Sequence, residues 1–97
     1  MLELDGQKVN WDEDKNLSNI KKHGVSFNEA ATVFKDDNAL YKPDRDHSDS
    51  EERFIILGMS ENLNLLLVCH CYRNGDSIIR LISARKANKE EGKTYRR

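Results

Sequence analysis

The stretch LNLLLVCHCYRNGDSIIRLISARKA, residues 63–87, decides the fold. Two apolar runs flank Asn74-Gly75, which is the strongest short signal for a β-hairpin. A two-residue turn at this point predicts that Arg73 lies opposite Asp76. Because both faces of the two strands are largely apolar, we expect the hairpin to lie centrally in a sheet.

Residues 12–35 predict two helices that meet at a tight corner. Asp12 is a favoured helix N-cap, and Gly24 suits the left-handed residue at which a helix ends. Leu17 and Ile20 give the first helix a narrow apolar stripe.

The remaining segments complete an α+β fold. The pattern predicts strands at residues 8–11 and 53–59 and a short helix at residues 89–96, which Asn88 caps. Residues 36–51 contain the only proline and predict a loop, of a length that is usually functional or disordered.

The chain has 97 residues, which suits one domain spanning residues 1–97 with a modest core. No apolar run is long enough for a membrane span, and the N-terminus does not resemble a signal peptide. We therefore expect a cytoplasmic protein. The two cysteines do not suggest a disulfide framework.

The net charge of −1 conceals an uneven distribution. Residues 1–51 carry 7 basic and 12 acidic side chains, net −5, whereas residues 52–97 carry 9 and 5, net +4. A basic face on such a dipolar molecule can still bind phosphate. An ordinary mixed surface with chance clustering explains the charges equally well.

A cluster of basic side chains predicts a phosphate-binding site, because the arginine fork matches phosphate oxygens. Ion pairing with the acidic half is the alternative, and for Arg73 it is the favoured one. A cation within the apolar run at Arg80 is costly to bury unpaired, so we expect it to face solvent, a partner or a phosphate. The predicted members are Arg53, Arg73, Arg80, Arg85 and Lys86.

Two histidines are candidates for proton transfer near neutral pH. His23 also suits the C-terminus of a helix simply as a cation. His47 has an acidic neighbour that favours its protonated form and the role of general acid, but it also fits an exposed loop residue. Tyr95 is suited either to stacking on a base or to packing in the core.

The sequence Cys69-His70-Cys71 suggests a metal site, but strand geometry argues against one. Successive strand side chains point to opposite faces, so the three ligands cannot converge. We expect no metal here and interpret the cysteines as small buried hydrophobes.

Four motifs occur together along this chain: WDEDKN (residues 11–16), KHGVSFNEA (22–30), ERFIILG (52–58) and RLISARKA (80–87). In this order they resemble the BrnT family of type II toxins over about residues 8–95. The resemblance implies a small RelE-like α+β fold with an antiparallel sheet, two N-terminal helices and a short C-terminal helix.

The same resemblance implies an endoribonuclease that blocks translation without metal or cofactor and leaves 2′,3′-cyclic phosphate ends. The resemblance implies functional roles for Arg53, Arg80 and Arg85. Lys86 and His23 also match positions of the family motifs, but the resemblance implies a catalytic role for them less directly. We expect a BrnA-like ribbon-helix-helix antitoxin as partner, DNA contact only through that antitoxin, and a dimer within the complex. The alternative is a non-catalytic interaction module, or an inactive toxin, that binds an antitoxin or a DNA-binding partner.

Overall fold

The computed structural model describes residues 2–4, 6–47 and 51–96, which form a mixed six-stranded sheet and three α-helices. The strands are β1 (Leu2–Leu4), β2 (Gln7–Asn10), β3 (Leu40–Pro43), β4 (Phe54–Met59), β5 (Leu65–Arg73) and β6 (Ile78–Lys86). The helices are α1 (Glu13–His23), α2 (Phe27–Ala31) and α3 (Lys89–Tyr95), with 3₁₀ turns at Thr32–Lys35 and Arg45–His47.

The order of strands across the sheet is β1-β2-β6-β5-β4-β3. Four neighbouring pairs run antiparallel, but β2 and β6 run parallel. The predicted α+β class is confirmed, and the expected antiparallel sheet is corrected to a mixed one. The parallel pair arises because α1 and the following elements separate β2 from the hairpin, and a crossover of that length can return in the same direction.

The predicted hairpin is central in the sheet, but its two-residue turn is wrong. Arg73 lies opposite Ile78, and residues 74–77 form the loop. Asn74, Gly75 and Asp76 have positive φ, and Ser77 donates from both its backbone N and its Oγ to the Asn74 carbonyl. A loop longer by two residues keeps the predicted facing of the two strands from the turn as far as His70 and Leu81.

A β-bulge interrupts the same hairpin further along. His70 lies opposite Leu81 and Cys69 lies opposite Ser83, so Ile82 is the extra residue. The bulge bends β6 where its side chains enter the site described below.

The polar side of α1 faces the protein, whereas Leu17 and Ile20 are 58% and 39% exposed. Asn19 donates to the carbonyls of Val25 and Ala84 and accepts from the Ala84 N–H. Asn16 accepts from the backbone of α2 at Phe27. The helix therefore attaches through side-chain amides to buried backbone groups of its neighbours, which explains why two asparagines are buried.

The core lies on one face of the sheet under α2. It contains Phe27, Ala30 and Val33 together with strand residues such as Leu66 and Leu81. On the opposite face, Ile55, Leu67 and Cys69 are only partly covered, and α3 lies at one end.

The segment predicted as a loop, residues 36–51, contains β3 and a 3₁₀ turn. β3 is an edge strand, and Pro43 is tolerated there because an edge leaves one side of the backbone unpaired. Residues 48–50 of the predicted loop lie outside the described residues. No helix of the described ranges is long and apolar enough to cross a membrane.

Candidate active site

A cleft of about 420 Å³ opens on the face of the sheet opposite the core. The end of α1, the 3₁₀ turn after β3 and the middle strands contribute its walls. Four of the five side chains predicted to be catalytic line it, although they come from separate segments of the chain: His23, His47, Arg53 and Arg85.

His47 is held in the cleft by Asp44, which the sequence analysis did not single out. The Nδ1 atom of His47 lies 3.0 and 3.1 Å from the two carboxylate oxygens of Asp44. The Asp44 side chain is 12% exposed, whereas that of His47 is 66% exposed. The carboxylate thus orients the ring and leaves Nε2 for exchange of a proton. The sequence signal for this contact was the spacing of Asp44 and His47, a carboxylate three residues before a histidine.

Backbone contacts fix this turn to the sheet. The Asp44 N–H donates to the Arg53 carbonyl at 2.8 Å, and the His47 N–H donates to the Asp44 carbonyl at 3.3 Å. Because Arg53 directly precedes β4, this hydrogen bond brings the imidazole and the Arg53 guanidinium to the same cleft.

Arg85 is oriented by α3. Its Nη1 and Nη2 atoms each donate to one Glu91 oxygen at 2.9 Å, and Nη1 also donates to the Lys86 carbonyl. The hydrogen bonds with Glu91 raise the pKa of Arg85, and the same bonds lower the pKa of Glu91. Arginine has five N–H donors, so two remain for a phosphate after these three bonds.

Cys69 contributes a neutral thiol to the cleft. Burial, reinforced by the negative charge of Asp44, raises the pKa of Cys69 to about 11. Its Sγ donates to Asp44 Oδ2 at 3.7 Å. A thiol with this pKa is protonated at neutral pH, so the cleft does not offer a thiolate nucleophile.

The remaining predicted site residues lie outside the cleft. Arg80 donates to Asn10 Oδ1 at 3.3 Å and is five residues from Arg85 on the same strand, roughly 15 Å away. Arg73 forms an ion pair with Glu51 at 3.2 Å, so the expected pairing with Asp76 is replaced by one with another acid.

Tyr95 and Lys86 have different surroundings. The Tyr95 hydroxyl donates to Asp36 Oδ2 at 2.6 Å, and this hydrogen bond raises the pKa of Tyr95 to about 12. Lys86 is exposed and lines a separate groove beside α3.

The Cys69-His70-Cys71 segment alternates between faces as strand geometry requires. His70 is fully buried and contacts the rings of Phe34, Phe54 and Tyr72. Burial lowers the pKa of His70 to about 4, and its Nε2 has no hydrogen-bond partner in the described part of the chain. Within the described ranges, no three metal-ligating side chains converge.

Comparison with known proteins matches this chain to a family of toxins and to a solved structure. The model of a family described as the ribonuclease toxin BrnT of type II toxin–antitoxin systems matches residues 11–91. The 1.1 Å crystal structure of the Brucella abortus ribonuclease toxin BrnT is similar, with a TM-score of 0.64 and 26% identity. That alignment covers 86% of this chain and 99% of the Brucella chain. A search of curated protein sequences found no relative.

Proposed function

Because this chain belongs to the BrnT family of ribonuclease toxins of type II toxin–antitoxin systems, we propose that it cuts RNA in the cleft described above and thereby blocks translation. The observation that carries this proposal is the convergence of two histidines and two arginines from four separate segments. The proposal includes a RelE-like arrangement of the fold and cleavage without a metal ion.

The two arginines are proposed to bind the scissile phosphate. Attack by a ribose 2′-OH builds additional negative charge on the phosphorane-like transition state, and preorganised cations stabilise that charge. Arg85 is suited to this role because Glu91 already fixes its orientation, so little side-chain freedom is lost when it binds.

The two histidines are proposed to move the protons. His23 removes the proton of the 2′-OH, whose oxygen forms a bond to phosphorus. His47 gives its proton to the 5′-oxygen as the bond from phosphorus to that oxygen breaks. The products are a 2′,3′-cyclic phosphate and a 5′-OH. Asp44 supports the role of His47, because its carboxylate lies 3.0 Å from Nδ1 and orients the ring so that Nε2 can meet the 5′-oxygen.

The site residues outside the cleft are proposed to contact flanking RNA. Arg80 lies on the same sheet face as Arg85 and can meet a neighbouring phosphate. Lys86 directly follows Arg85 but lines the separate groove beside α3, while Arg73 and Tyr95 are proposed to meet RNA farther from the cleft. None of these four is proposed to touch the reacting atoms.

A type II toxin has an antitoxin partner. We propose that this partner is a BrnA-like ribbon-helix-helix protein, that it binds the complex to DNA, and that the toxin is a dimer within the complex. The exposed Leu17 and Ile20 support a protein partner. Ile20 lies three residues before His23 on α1, so a partner packed on this stripe would stand beside the mouth of the cleft. Coexpression of the antitoxin should restore growth and RNA integrity.

A product analysis tests the proposed reaction. The purified protein is incubated with a defined RNA in EDTA, and the ends of the products are identified. We expect 2′,3′-cyclic phosphate and 5′-OH ends, and resistance when the cleaved nucleotide carries a single 2′-deoxyribose. A product with a 3′-OH end, or unchanged cutting of the 2′-deoxy substrate, would overturn the mechanism. Intact RNA with normal antitoxin binding would favour the non-catalytic alternative.

A further inference from the structure

A second depression, which we call the basic groove, lies between the ends of β5 and β6 and α3. Its volume is about 590 Å³, larger than that of the cleft. No carboxylate is among the described residues that line it. Its polar lining consists of Asn64, Lys86, Asn88, Lys89, Lys93 and Arg96.

The acidic side chains of α3 do little to neutralise this groove. Glu91 is hydrogen-bonded to Arg85 and to the Asn88 N–H. Glu90 is 84% exposed, and its carboxylate lies 3.7 Å from the Lys93 ammonium, which makes a weak surface pair. The four cations therefore make the groove locally positive, although the net charge of the whole chain is −1.

Gly92 is buried on the wall of this groove. A Cβ atom at this position would lie 3.4 Å from Nη1 of Arg96, which is an ordinary van der Waals contact. The binding capacity of the groove therefore comes from its cations and not from a space that only glycine leaves open.

The groove is connected to the cleft through consecutive residues of β6. Arg85 lines the cleft, and Lys86 lines the groove. The bidentate pair of Arg85 with Glu91 attaches α3 to this end of the strand. Because successive strand side chains point to opposite faces, an RNA backbone contacts both surfaces by passing around the end of β6.

We propose that the basic groove binds the phosphate backbone of a single-stranded RNA whose next segment occupies the cleft. This inference rests on the proposed function and names a further part of its substrate site. The groove offers ammonium and guanidinium groups but no aromatic ring among its described lining residues, so it reads phosphates and not bases. Binding there is independent of sequence and depends strongly on salt.

The test measures the affinity for a fluorescent 2′-O-methyl RNA oligonucleotide, which cannot be cut by 2′-OH attack, at several salt concentrations. The groove variant is Lys89→Gln with Lys93→Gln. The matched control, Lys8→Gln with Lys15→Gln, removes the same charge from exposed positions on β2 and α1.

For single strands each phosphate contact contributes about 0.7 to the salt slope, so the groove variant should lose about 1.4. Raising salt from 50 to 200 mM should then weaken wild-type binding about sevenfold more than it weakens binding by the groove variant. The control should keep the wild-type slope.

Equal slopes for the two double variants would overturn the groove proposal and leave the nuclease proposal standing. If the groove variant binds RNA as tightly as the control variant but binds the antitoxin more weakly, the groove is a protein-binding surface. That result would also overturn the groove proposal. If the slope falls as expected but the wild type does not cut unmodified RNA, the groove stands and the nuclease proposal fails.

Discussion

Replacing Asn19 with alanine tests how α1 is held against the sheet. The wild-type amide makes three hydrogen bonds of 2.8 to 3.1 Å to backbone groups of Val25 and Ala84. Each contributes about 1 kcal/mol net, and the abandoned buried partners add to the loss. The better helix propensity of alanine offsets only about 0.5 kcal/mol. We therefore expect Asn19→Ala to lower the free energy of unfolding by about 3 kcal/mol.

Urea denaturation followed by circular dichroism measures this change, which corresponds to a decrease in Tm of roughly 12–24 °C for a chain of this size. The exposed neighbour offers a control, since Ser18→Ala should stay within about 0.5 kcal/mol of the wild type. A loss below about 1 kcal/mol for Asn19→Ala would refute the reasoning, because three buried bonds cannot be so weak together.

Three further predictions concern titratable side chains. The pKa of the Cys69 thiol is about 11, so at pH 8 the folded protein should react with a thiol reagent at Cys69 about 100-fold more slowly than the urea-unfolded chain does. Equal rates in the two states would contradict the burial of Cys69. The pKa of His70 is about 4 in the folded protein and about 6.5 in the unfolded chain. Between these two pH values, only the unfolded chain binds a proton at His70. Stability should therefore fall by roughly 2 kcal/mol from pH 7.5 to pH 5, and His70→Phe should remove that part of the pH dependence in denaturation curves. Asp44→Asn should lower kcat for RNA cleavage by roughly 10- to 100-fold with little change in KM, because the acid loses its orientation; an unchanged kcat would remove Asp44 from the mechanism.

The helices could be predicted because their signals are local. Asp12 caps α1 through a hydrogen bond to Asp14, and Gly24 ends it with a positive φ. Asn88 and Glu91 form the expected capping box of α3. Each of these interactions joins residues within one turn of helix, so the amino-acid spacing is sufficient information.

The edges and directions of the sheet depend on distant partners and were not predictable in the same way. β3 is exposed at every position and contains Pro43, so nothing in its own sequence marks it as a strand. Its conformation follows from pairing with β4. The hairpin turn is four residues long and places Asp76 in a left-handed conformation, which a non-glycine residue rarely adopts and which spacing alone does not predict.

For the candidate site, motifs identified side chains but not their arrangement. His23, His47, Arg53 and Arg85 could be named from the sequence, and they share one cleft. The contacts of Asp44 and Glu91 with them depend on the path of β3 and on the docking of α3, which local spacing does not encode. Arg80 belongs to the same motif as Arg85, yet extended strand geometry separates the two.

RNA cleavage by Arg85→Gln tests whether the cleft is the catalytic site of a ribonuclease. The measurement compares kcat/KM on a defined RNA for the wild type, for Arg85→Gln and for Lys15→Gln, which removes one charge from an exposed site on α1. Circular dichroism establishes that all three proteins are folded. We expect a loss of about 10²–10³-fold for Arg85→Gln, as for removal of one transition-state donor, and no change for Lys15→Gln. A folded Arg85→Gln protein that cuts RNA at the wild-type rate would contradict this expectation.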